Sequence, residues 1–393
     1  MRALDGIRIL ELVRVAPGEF CTMLLADMGA DVVKIETPER PVDDARRAAF
    51  AFVNRNKRSL ALDLKTPEGR TLLHRLAASA DVVLEGFRPG VMTRLGGDWA
   101  TLSAINPRLI YCSLSGFGQD GPYRDHPAHD MNYLSLAGVL GLIGEADRKP
   151  AIPLNIIADY AGASLHGALG VVLALFARER TGRGQQVDVS YLDTTLELLA
   201  ATPNMRYFFS DGVAPRRGAG FLGGSYPYYA IYETRDGKLL TIGCTEPWLW
   251  ENFCRAIGRP ELARFARRSD QFVRPANAAE EAARREIEAI IRTRDRDEWF
   301  DLLVRADVCV GKVYDVEEVV GDPQVTHRGM VVEVEHPKHG TIRQFGIGIK
   351  LSDTPGAVVR AAPQRGEHTD EVLAALGLGT DEIRALRDKR VIA

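Results

Sequence analysis

Short apolar runs alternate with helical sequence near the start of this chain. The runs are IRILEL at 7–12, DVVKIE at 31–36, DVVLEGF at 81–87 and RLIYCSLS at 108–115. Each is short and rich in Val, Ile and Leu, which is typical of a buried strand. Strands separated by helices at this spacing pair in parallel. The sequence therefore predicts an α/β protein with an open, mostly parallel sheet.

A second group of elements follows further along the chain. QQVDVSYLD at 185–193 reads as another strand, and the Gly-, Arg- and Pro-rich stretch 211–226 reads as a linker or an active-site loop. After it come strand-like runs at 228–233 and 238–243 and a long helical, charged region at 248–306. A chain of 393 residues exceeds the ~250–300 residues that one core usually supports. The sequence predicts a second, smaller domain.

The composition is that of an ordinary soluble protein. Hydrophobic residues make up 46% and charged residues 26%, and the net charge is -3, so charge gives no reason to expect a nucleic acid or a membrane surface as a partner. The five cysteines form no C-x-x-C pair, which predicts reduced thiols in a cytoplasmic protein. The charged N-terminal sequence is not that of a signal peptide.

The longest apolar stretch covers residues 156–177 and is rich in Gly and Ala. It includes Asp159 and His166, ionisable groups that are costly within a bilayer. The stretch is therefore predicted to be a helix of the protein interior, buried on most sides, and not a membrane span.

Residues 126–167 place three titratable side chains at two predicted helix starts. His129 and Asp130 begin the first apolar segment, and Asp159 begins the second. Helix N-termini favour acids, and their amides can also bind an anion that develops on a substrate. A plainer interpretation makes Asp159 a helix-start acid and His129 a partly buried histidine with no chemistry. The residues alone leave both interpretations open.

The glycines at 116, 118 and 121 match G-x-G-x-x-G after a strand. A dinucleotide site needs a helix to open on the third glycine, but Pro122 follows at once. The pattern is better explained by a loop that approaches a ligand closely.

Ordered motifs run through nearly the whole chain. They are LDGIRILEL at 4–12, ADMGADVVKIE at 26–36, NRNKRSLALDLK at 54–65, EGFRPGV at 85–91, SGFGQDGP at 115–122, TGRGQ at 181–185 and GEHT at 366–369. In this combination they resemble the class III CoA-transferases, a family that includes the α-methylacyl-CoA racemases.

The resemblance implies a specific architecture. Family members have a large doubly wound, Rossmann-like parallel-sheet domain built from both chain ends, a smaller α+β domain, and an interlocked homodimer. The corresponding bounds here are 1–200 for the N-terminal part of the large CoA-binding domain and 201–226 for a linker. The small domain would cover 227–325, and 326–393 would return to the large domain.

The resemblance also implies roles for particular residues. Asp159 matches an acid that is the covalent nucleophile in transferases and one of two bases in racemases. AHDMNY at 128–133 looks like the racemase motif, in which His129 is the second base. Asn155 would support the active-site geometry, and Glu246 would help to orient the histidine. The region around 260–280 looks longer and more basic than in compact racemases.

CoA would enter as part of the acyl-CoA substrate, and neither a permanently bound cofactor nor a metal is expected. Its phosphates require cations, which the basic cluster at 37–58 and two later arginines would supply. Without the resemblance, that cluster would read as a solvated loop. The predicted CoA-binding residues are Arg40, Arg55, Lys57, Arg58, Arg88, Arg94 and Tyr133.

The sequence favours a racemase or epimerase of 2-methylacyl-CoA thioesters that works by 1,1-proton transfer through an enolate. Two alternatives remain. One is a transferase that moves CoA between carboxylic acids, with Asp159 as the covalent nucleophile. The other is a non-catalytic acyl-CoA-binding protein that keeps the fold.

Overall fold

A computed structural model describes residues 1–38, 51–336 and 338–393. The chain forms two units, each made of separate stretches of sequence. The first unit combines residues 1–133, 155–195 and 323–393, and the second combines residues 134–154 and 196–322.

The segment 134–154 belongs to the second unit, although the sequence-based bounds placed it in the first. The guanidinium of Arg217 explains this assignment, because it donates to three carbonyls of the segment. The acceptors are Gly141, Glu145 and Arg148, at 3.1, 3.0 and 2.7 Å. One long side chain therefore fixes the segment to the stretch that follows residue 196.

The predicted parallel α/β sheet is confirmed in the first unit. Among the described residues its strands follow the order β3-β2-β1-β4-β5-β6, and every neighbouring pair is parallel. This is a doubly wound order, in which ligands usually bind where the strand order reverses, at the carboxyl ends beside β1 and β4. The strands are β1 Arg8–Leu12, β2 Asp31–Glu36, β3 Arg58–Ala61, β4 Val82–Glu85, β5 Ile110–Ser115 and β6 Gln186–Ser190.

Helices connect these strands and cover the sheet. Thr66 caps the second helix as its sequence predicts, since its hydroxyl accepts from the Gly69 amide at 3.0 Å and Pro67 takes the first helical position. The helices are α1 Ala16–Asp27, α2 Pro67–Ala77, α3 Val91–Arg94, α4 Trp99–Ile105 and α5 Asp130–Leu136.

The C-terminal stretch packs on the outer strand of the parallel sheet. The Gly366 amide donates to the Ser59 hydroxyl at 2.9 Å, and the Ala61 amide donates to the Thr369 hydroxyl at 3.2 Å. The buried Val372 and Leu373 then join the same core as β1–β5. The elements of this stretch are α13 Pro323–His327, the hairpin β10 Val331–His336 and β11 Gly340–Phe345, α14 Thr369–Ala375 and α15 Thr380–Asp388.

The apolar stretch near the middle of the chain forms a π-helix, Ile156–Ser164, that continues as α6, Leu165–Thr181. By length and composition Ile156–Thr181 is apolar enough to cross a membrane, with a hydropathy of 1.6. Its inner face packs against β5 so closely that a Cβ on Gly167 would lie 2.8 Å from the Leu114 side chain.

The prediction that this helix is buried on most sides is wrong, because only 39% of its most apolar 18-residue stretch is buried. Large side chains spaced three and four residues apart lie on one exposed face of α6. They are Leu165, Leu169, Val172, Leu173 and Phe176. The described residues of a single chain leave this face uncovered.

The second unit has its own antiparallel sheet and aromatic core. The strands β7 Tyr229–Glu233, β8 Leu239–Gly243 and β9 Val310–Lys312 pair in that order, and side chains such as Trp250 and Phe253 are fully buried beside them. Its helices are α7 Tyr191–Leu199, which begins in the first unit, α8 Pro203–Asp211, α9 Pro247–Ala256, α10 Ala278–Ile291, α11 Arg296–Arg305 and α12 Val316–Val319.

A pair of fully buried charges joins β1 to the segment before β3. Lys57 Nζ lies 2.7 Å from the Glu11 carboxylate, and neither side chain has exposed surface. The ammonium also donates to the Glu19 carbonyl at 2.8 Å and to the Asn54 side chain at 3.1 Å. Buried charges persist only where such partners offset the loss of water.

We expect Lys57→Ala to lower the free energy of unfolding by about 3–5 kcal/mol, because it leaves the Glu11 charge buried and uncompensated. Urea denaturation measures this loss. The matched control is Arg343→Ala, which removes an ion pair to Glu333 whose side chains are largely exposed and which should change stability little. Equal, small losses in both variants would contradict a structural role for Lys57.

Candidate functional site

The site centres on a carboxylate that joins the start of α5 to the start of the π-helix. Asp130 Oδ2 accepts hydrogen bonds from the amides of Ala158 and Asp159, both at 2.9 Å. Asp130 directly follows His129, so one side chain connects the segments that carry the two predicted bases. Asp130 itself is 4% exposed.

The π-helix creates the need for this carboxylate. As at the start of any helix, the amides of its first turn have no partner within the helix, and the longer hydrogen bonds of a π-helix leave one more amide unpaired than in an α-helix. The backbone enters it through Leu154 at φ 57°, a left-handed conformation that is uncommon for leucine. Ser164 ends the π-helix, and its hydroxyl donates to the carbonyls of Asp159 and Pro17 at 2.8 and 2.7 Å.

Two amides at this helix start, which were candidates for binding a substrate anion, are used by the protein itself. The Asp130 carboxylate already occupies the Ala158 and Asp159 N–H groups. An acid of the protein therefore takes the position that the sequence assigned to a substrate anion, because an N-cap carboxylate and a bound anion use the same donors.

Asp159 lies in the first turn of the π-helix and is partly exposed. Its Oδ2 accepts from the Asn155 side-chain amide at 3.1 Å. Burial raises the pKa of Asp159, the nearby Asp130 carboxylate raises it further, and the Asn155 hydrogen bond and the His129 charge act against this, leaving a net increase. The result is a carboxylate that is more basic than an ordinary aspartate.

His129 is exposed at the residue before α5. Its amide donates to the Asn132 side chain at 3.0 Å, and its carbonyl accepts from the amides of Asn132 and Tyr133 at 2.8 and 3.3 Å. These contacts fix the backbone of His129, and the imidazole acts electrostatically on Asp159. The structure thus brings together His129, Asn155 and Asp159 in one unit.

Tyr133 is buried beneath this group. Its hydroxyl donates to the Ala128 carbonyl at 2.9 Å, and its ring lies 5.1 Å from Tyr191. Burial raises the pKa of Tyr133 to about 12, so the phenol is neutral. A Cβ on Gly116 would lie 2.6 Å from the Tyr133 hydroxyl, which explains why the loop after β5 needs glycine there.

Arginines surround the turn that follows β4. Arg88 and Arg94 are exposed, and Arg88 acts electrostatically on Tyr133. The guanidiniums of Arg94 and Arg124 each lie 3.7 Å from a Cβ built on Gly90. Arg124 Nε is buried and has no hydrogen-bond partner among the described residues. Arg124 is not among the residues predicted from the sequence, although it follows the glycines at 116–121.

Glu85 shapes the turn that carries these arginines. It is 4% exposed, and its carboxyl accepts from the Phe87 amide at 2.8 Å. Burial raises the pKa of Glu85 to about 7, with a further contribution from Asp188. The EGFRPG motif signalled this turn, but local sequence gave no sign of the altered acidity.

The basic cluster before β3 has different contacts. Arg55 is 3% exposed and pairs with Asp27 at 2.6 Å, Lys57 pairs with Glu11, and Arg58 bridges Asp31 at 2.6 Å. These contacts give the three cations a structural role in the first unit. Their phosphate-binding role stays a prediction, and Arg40 lies outside the described residues.

A crevice opens at the carboxyl ends of β1–β4, where a doubly wound sheet usually binds its ligand. Arg14, Lys34, Lys65 and Phe87 contribute to its walls. The Arg14 guanidinium lies over the Phe87 ring at 5.3 Å. The crevice therefore combines an aromatic surface with both signs of charge, since Glu19, Glu36 and Asp63 also line it and Lys34 pairs with Glu19 and Glu36.

Glu246 belongs to the second unit, where it is exposed and precedes α9. Its carboxylate accepts from the Thr245 hydroxyl at 3.0 Å. Arg267 donates to the Thr245 carbonyl at 2.8 Å and stacks near Phe221 and Phe272 at 5.3 and 5.5 Å. The basic region around 260–280 thus supports the loop that carries Glu246.

The first unit is thus a doubly wound α/β unit with a histidine and a carboxylate of raised pKa at adjoining helix starts. Residues 4–369 match the model of CoA-transferase family III. The chain belongs to this family.

Similar proteins carry out two kinds of chemistry. The chain is 36% identical to α-methylacyl-CoA racemase of Homo sapiens, with 99% of this chain and 97% of that protein covered. It is 35% identical to the succinyl-CoA–L-malate CoA-transferase beta subunit of Chloroflexus aurantiacus, covering 99% and 98%. A CAIB/BAIF family protein from Brucella suis matches with a TM-score of 0.80 at 32% identity, covering 95% and 99%. These relatives support an acyl-CoA enzyme.

We expect Asp159→Asn to be more stable than the wild type at neutral pH. The folded-state pKa of Asp159 is raised, so its ionisation is harder in the folded than in the unfolded state, and the neutral amide avoids that cost. As the pH falls below the usual range of an aspartate, the wild-type carboxyl is protonated in both states and the difference disappears. Urea unfolding at several pH values measures this difference in the free energy of unfolding.

The exposed loop residue Asp353 provides the matched control, since Asp353→Asn should show no comparable gain. A stability difference for Asp159→Asn that grows toward acid pH would contradict the raised pKa.

Proposed function

We propose that this protein is a racemase or epimerase of 2-methylacyl-CoA thioesters, with His129 and Asp159 as opposed bases. The observation that carries the proposal is the junction between their two segments. Asp130, next to His129, binds the amide of Asp159, and the His129 charge acts on the Asp159 carboxyl. This junction supports the assignment of the two side chains as acid and base for the same substrate carbon.

The reaction proceeds by 1,1-proton transfer. One base removes the α-proton of the thioester, the carbanion is delocalised as an enolate, and the protonated partner returns a proton to the opposite face. His129 starts as imidazolium when Asp159 is the base, and the roles reverse for the other enantiomer. The raised pKa of Asp159 favours proton abstraction, because basicity follows pKa.

CoA is the carrier of the acyl group in this proposal. The exposed Arg88 and Arg94 suit bidentate phosphate contacts, and Arg124 adds a third guanidinium near the same turn. The crevice at the carboxyl ends of β1–β4 then receives another part of the CoA. Tyr133, neutral and buried, supports the loop that the substrate approaches.

The second candidate is a CoA-transferase. CoA-transferases at 34–35% identity cover as much of this chain as the racemases do, and Asp159 is accessible enough to attack a thioester. In that reaction the Asp159 carboxylate would attack the thioester carbonyl, form a mixed anhydride and release CoA thiolate; the thiolate would attack the aspartyl carbonyl and expel the donor acid, leaving an enzyme-bound thioester. The acceptor carboxylate would then attack that thioester and release CoA thiolate, which would attack the acceptor carbonyl of the new anhydride, form the acyl-CoA product and free Asp159. The racemase is preferred because the transferase gives His129 no necessary role.

The test incubates each enantiomer of a 2-methylacyl-CoA with the enzyme in D2O and follows α-deuteration and configuration by mass spectrometry and chiral analysis. His129→Ala should abolish epimerisation, while deuteration persists for the enantiomer whose proton faces Asp159. Asp159→Asn should remove exchange from that same enantiomer and leave the other to His129. Loss of a general base should cost ~10²–10⁴-fold in rate.

His126→Ala is the matched control, since His126 is another exposed histidine of the same segment and should leave both exchanges intact. Efficient CoA transfer to added carboxylic acids in His129→Ala, with a hydroxylamine-trapped adduct on Asp159 of the wild type, would establish the transferase instead. Binding of acyl-CoA without turnover of any kind would leave only the non-catalytic alternative.

We also propose that the protein is a homodimer in which α6 contributes to the interface. The support is the uncovered apolar face of α6, on which Leu169 and Phe176 are 55% and 58% exposed. Large contiguous apolar faces of soluble proteins are usually covered by a partner, and a second copy of the chain offers the same apolar face.

Sedimentation at sub-micromolar concentration should show a dimer. Leu169→Glu places a charge on the apolar face and should shift the wild-type dimer toward monomer by at least about tenfold in dissociation constant, roughly 1.4 kcal/mol. Val359→Glu, a substitution at another exposed aliphatic residue of the first unit, is the control and should remain dimeric. A folded wild-type monomer at these concentrations would exclude the proposal.

A further inference from the structure

We propose that Asp130 is a positioning residue, which holds the segment that carries Asp159 by two backbone amides and places its own carboxylate near the Asp159 carboxyl. This inference deepens the proposed function and rests on it, since Asp159 is a base only if that function is right. Asp130 itself contacts no reacting atom in this scheme.

The geometry of the Asp130 carboxylate supports this role. Oδ2 lies 2.9 Å from both the Ala158 and the Asp159 amide nitrogen. Oδ1 is buried and has no hydrogen-bond partner among the described residues. A buried carboxylate oxygen without a partner is costly, so the contacts of Oδ2 and the electrostatics of the site must offset that cost.

The position of Asp130 in the fold links the two proposed bases. It is the first residue of α5 and directly follows His129, whereas the amides it binds belong to the first turn of the π-helix that carries Asp159. Any displacement of the carboxylate would change the relative position of the two segments that carry His129 and Asp159. Catalysis by opposed bases is sensitive to such displacement, because proton transfer needs both groups within reach of one carbon.

The charge of Asp130 raises the pKa of Asp159, as burial does. Several titratable groups face Asp159, namely Asp130 and His129 at the start of α5, Tyr133 within it and Tyr191 at the start of α7. Burial raises the pKa of Asp159 and the Asp130 charge adds to that, while His129 and the Asn155 hydrogen bond oppose it. Removing the Asp130 charge should therefore make Asp159 a stronger acid and a weaker base.

Carbon-13 NMR of protein labelled at the aspartate carboxyls tests this directly. The Asp159 signal is identified by its loss in Asp159→Asn, and its titration is compared between wild type and Asp130→Asn. Asparagine keeps an oxygen that can accept from both amides but has no charge. We expect the Asp159 titration to move to lower pH, and the acid limb of the pH profile for α-proton exchange to move with it.

Asp130→Ala removes the acceptor as well as the charge. In this variant kcat for exchange should fall about 10²-fold, the size of effect that small misplacements of a catalytic group produce, with little change in KM. If Asp130→Asn does not fold, Asp130→Ser carries the same comparison, since its hydroxyl can accept from an amide without a charge.

Asp98→Asn is the matched control. Asp98 caps α4 by accepting from the Thr101 amide at 3.0 Å, so the substitution removes a helix-start charge elsewhere in the same unit. It should leave the titration of Asp159 and the exchange rate unchanged. An Asp159 titration that is the same in wild type and Asp130→Asn would overturn the inference.

The two proposals fail in different ways. If the Asp159 titration moves in Asp130→Asn but the wild type exchanges no α-proton of any 2-methylacyl-CoA, the racemase proposal is wrong and the electrostatic role of Asp130 stands. If exchange follows the predicted two-base pattern but the titration does not move, the racemase stands and Asp130 acts only as a helix cap.

Discussion

The pairing of buried charges around α1 is the constraint on which the site's scaffold depends. Lys57 joins the Glu11 carboxylate of β1 to the Glu19 carbonyl of α1, and Arg55 pairs with Asp27 at the far end of the same helix. Helix α1 is therefore tied to β1 near its N-terminus and to the segment before β3 at its C-terminus. It in turn supports the π-helix through the Ser164–Pro17 hydrogen bond and an edge contact of 5.2 Å between Phe20 and Tyr160. Cations of this cluster thus support, through α1, the π-helix that carries Asp159.

The cations of the basic cluster before β3 differ in what they contact. In sequence its cations look equivalent, but burial divides them by what they contact. A cation with a buried carboxylate partner is held by the desolvation cost of separating the pair, whereas exposed guanidiniums such as Arg88 and Arg94 keep their donors directed at solvent or ligand. The arginines after β4 are accordingly better placed for phosphate than those before β3.

The sequence predicted the sheet well because strand formation here depends on local pattern. Runs of Val, Ile and Leu in β1, β2 and β5 are buried almost completely, and Thr66–Pro67 is a local helix signal. Other features depend on contacts between distant residues. The partnership of Glu11 with Lys57 and the contact of Asp130 with the Asp159 amide span 46 and 29 positions, so neither leaves a mark in nearby sequence. The π-helix was missed because its apolar composition suits an α-helix equally well.

A raised pKa of Asp159 would suit either a racemase or a CoA-transferase, the two kinds of enzyme found among the relatives. A raised pKa makes the Asp159 carboxylate a better base and also a better nucleophile, so acidity alone does not separate proton transfer from acyl transfer. The difference lies in what stands beside the carboxylate. Inversion at carbon needs a second proton carrier on the opposite face, and anhydride chemistry does not. In the proposed racemase His129, whose backbone is fixed by its contacts and which directly precedes Asp130, is that carrier. Under this proposal the histidine is the group that distinguishes racemisation from acyl transfer.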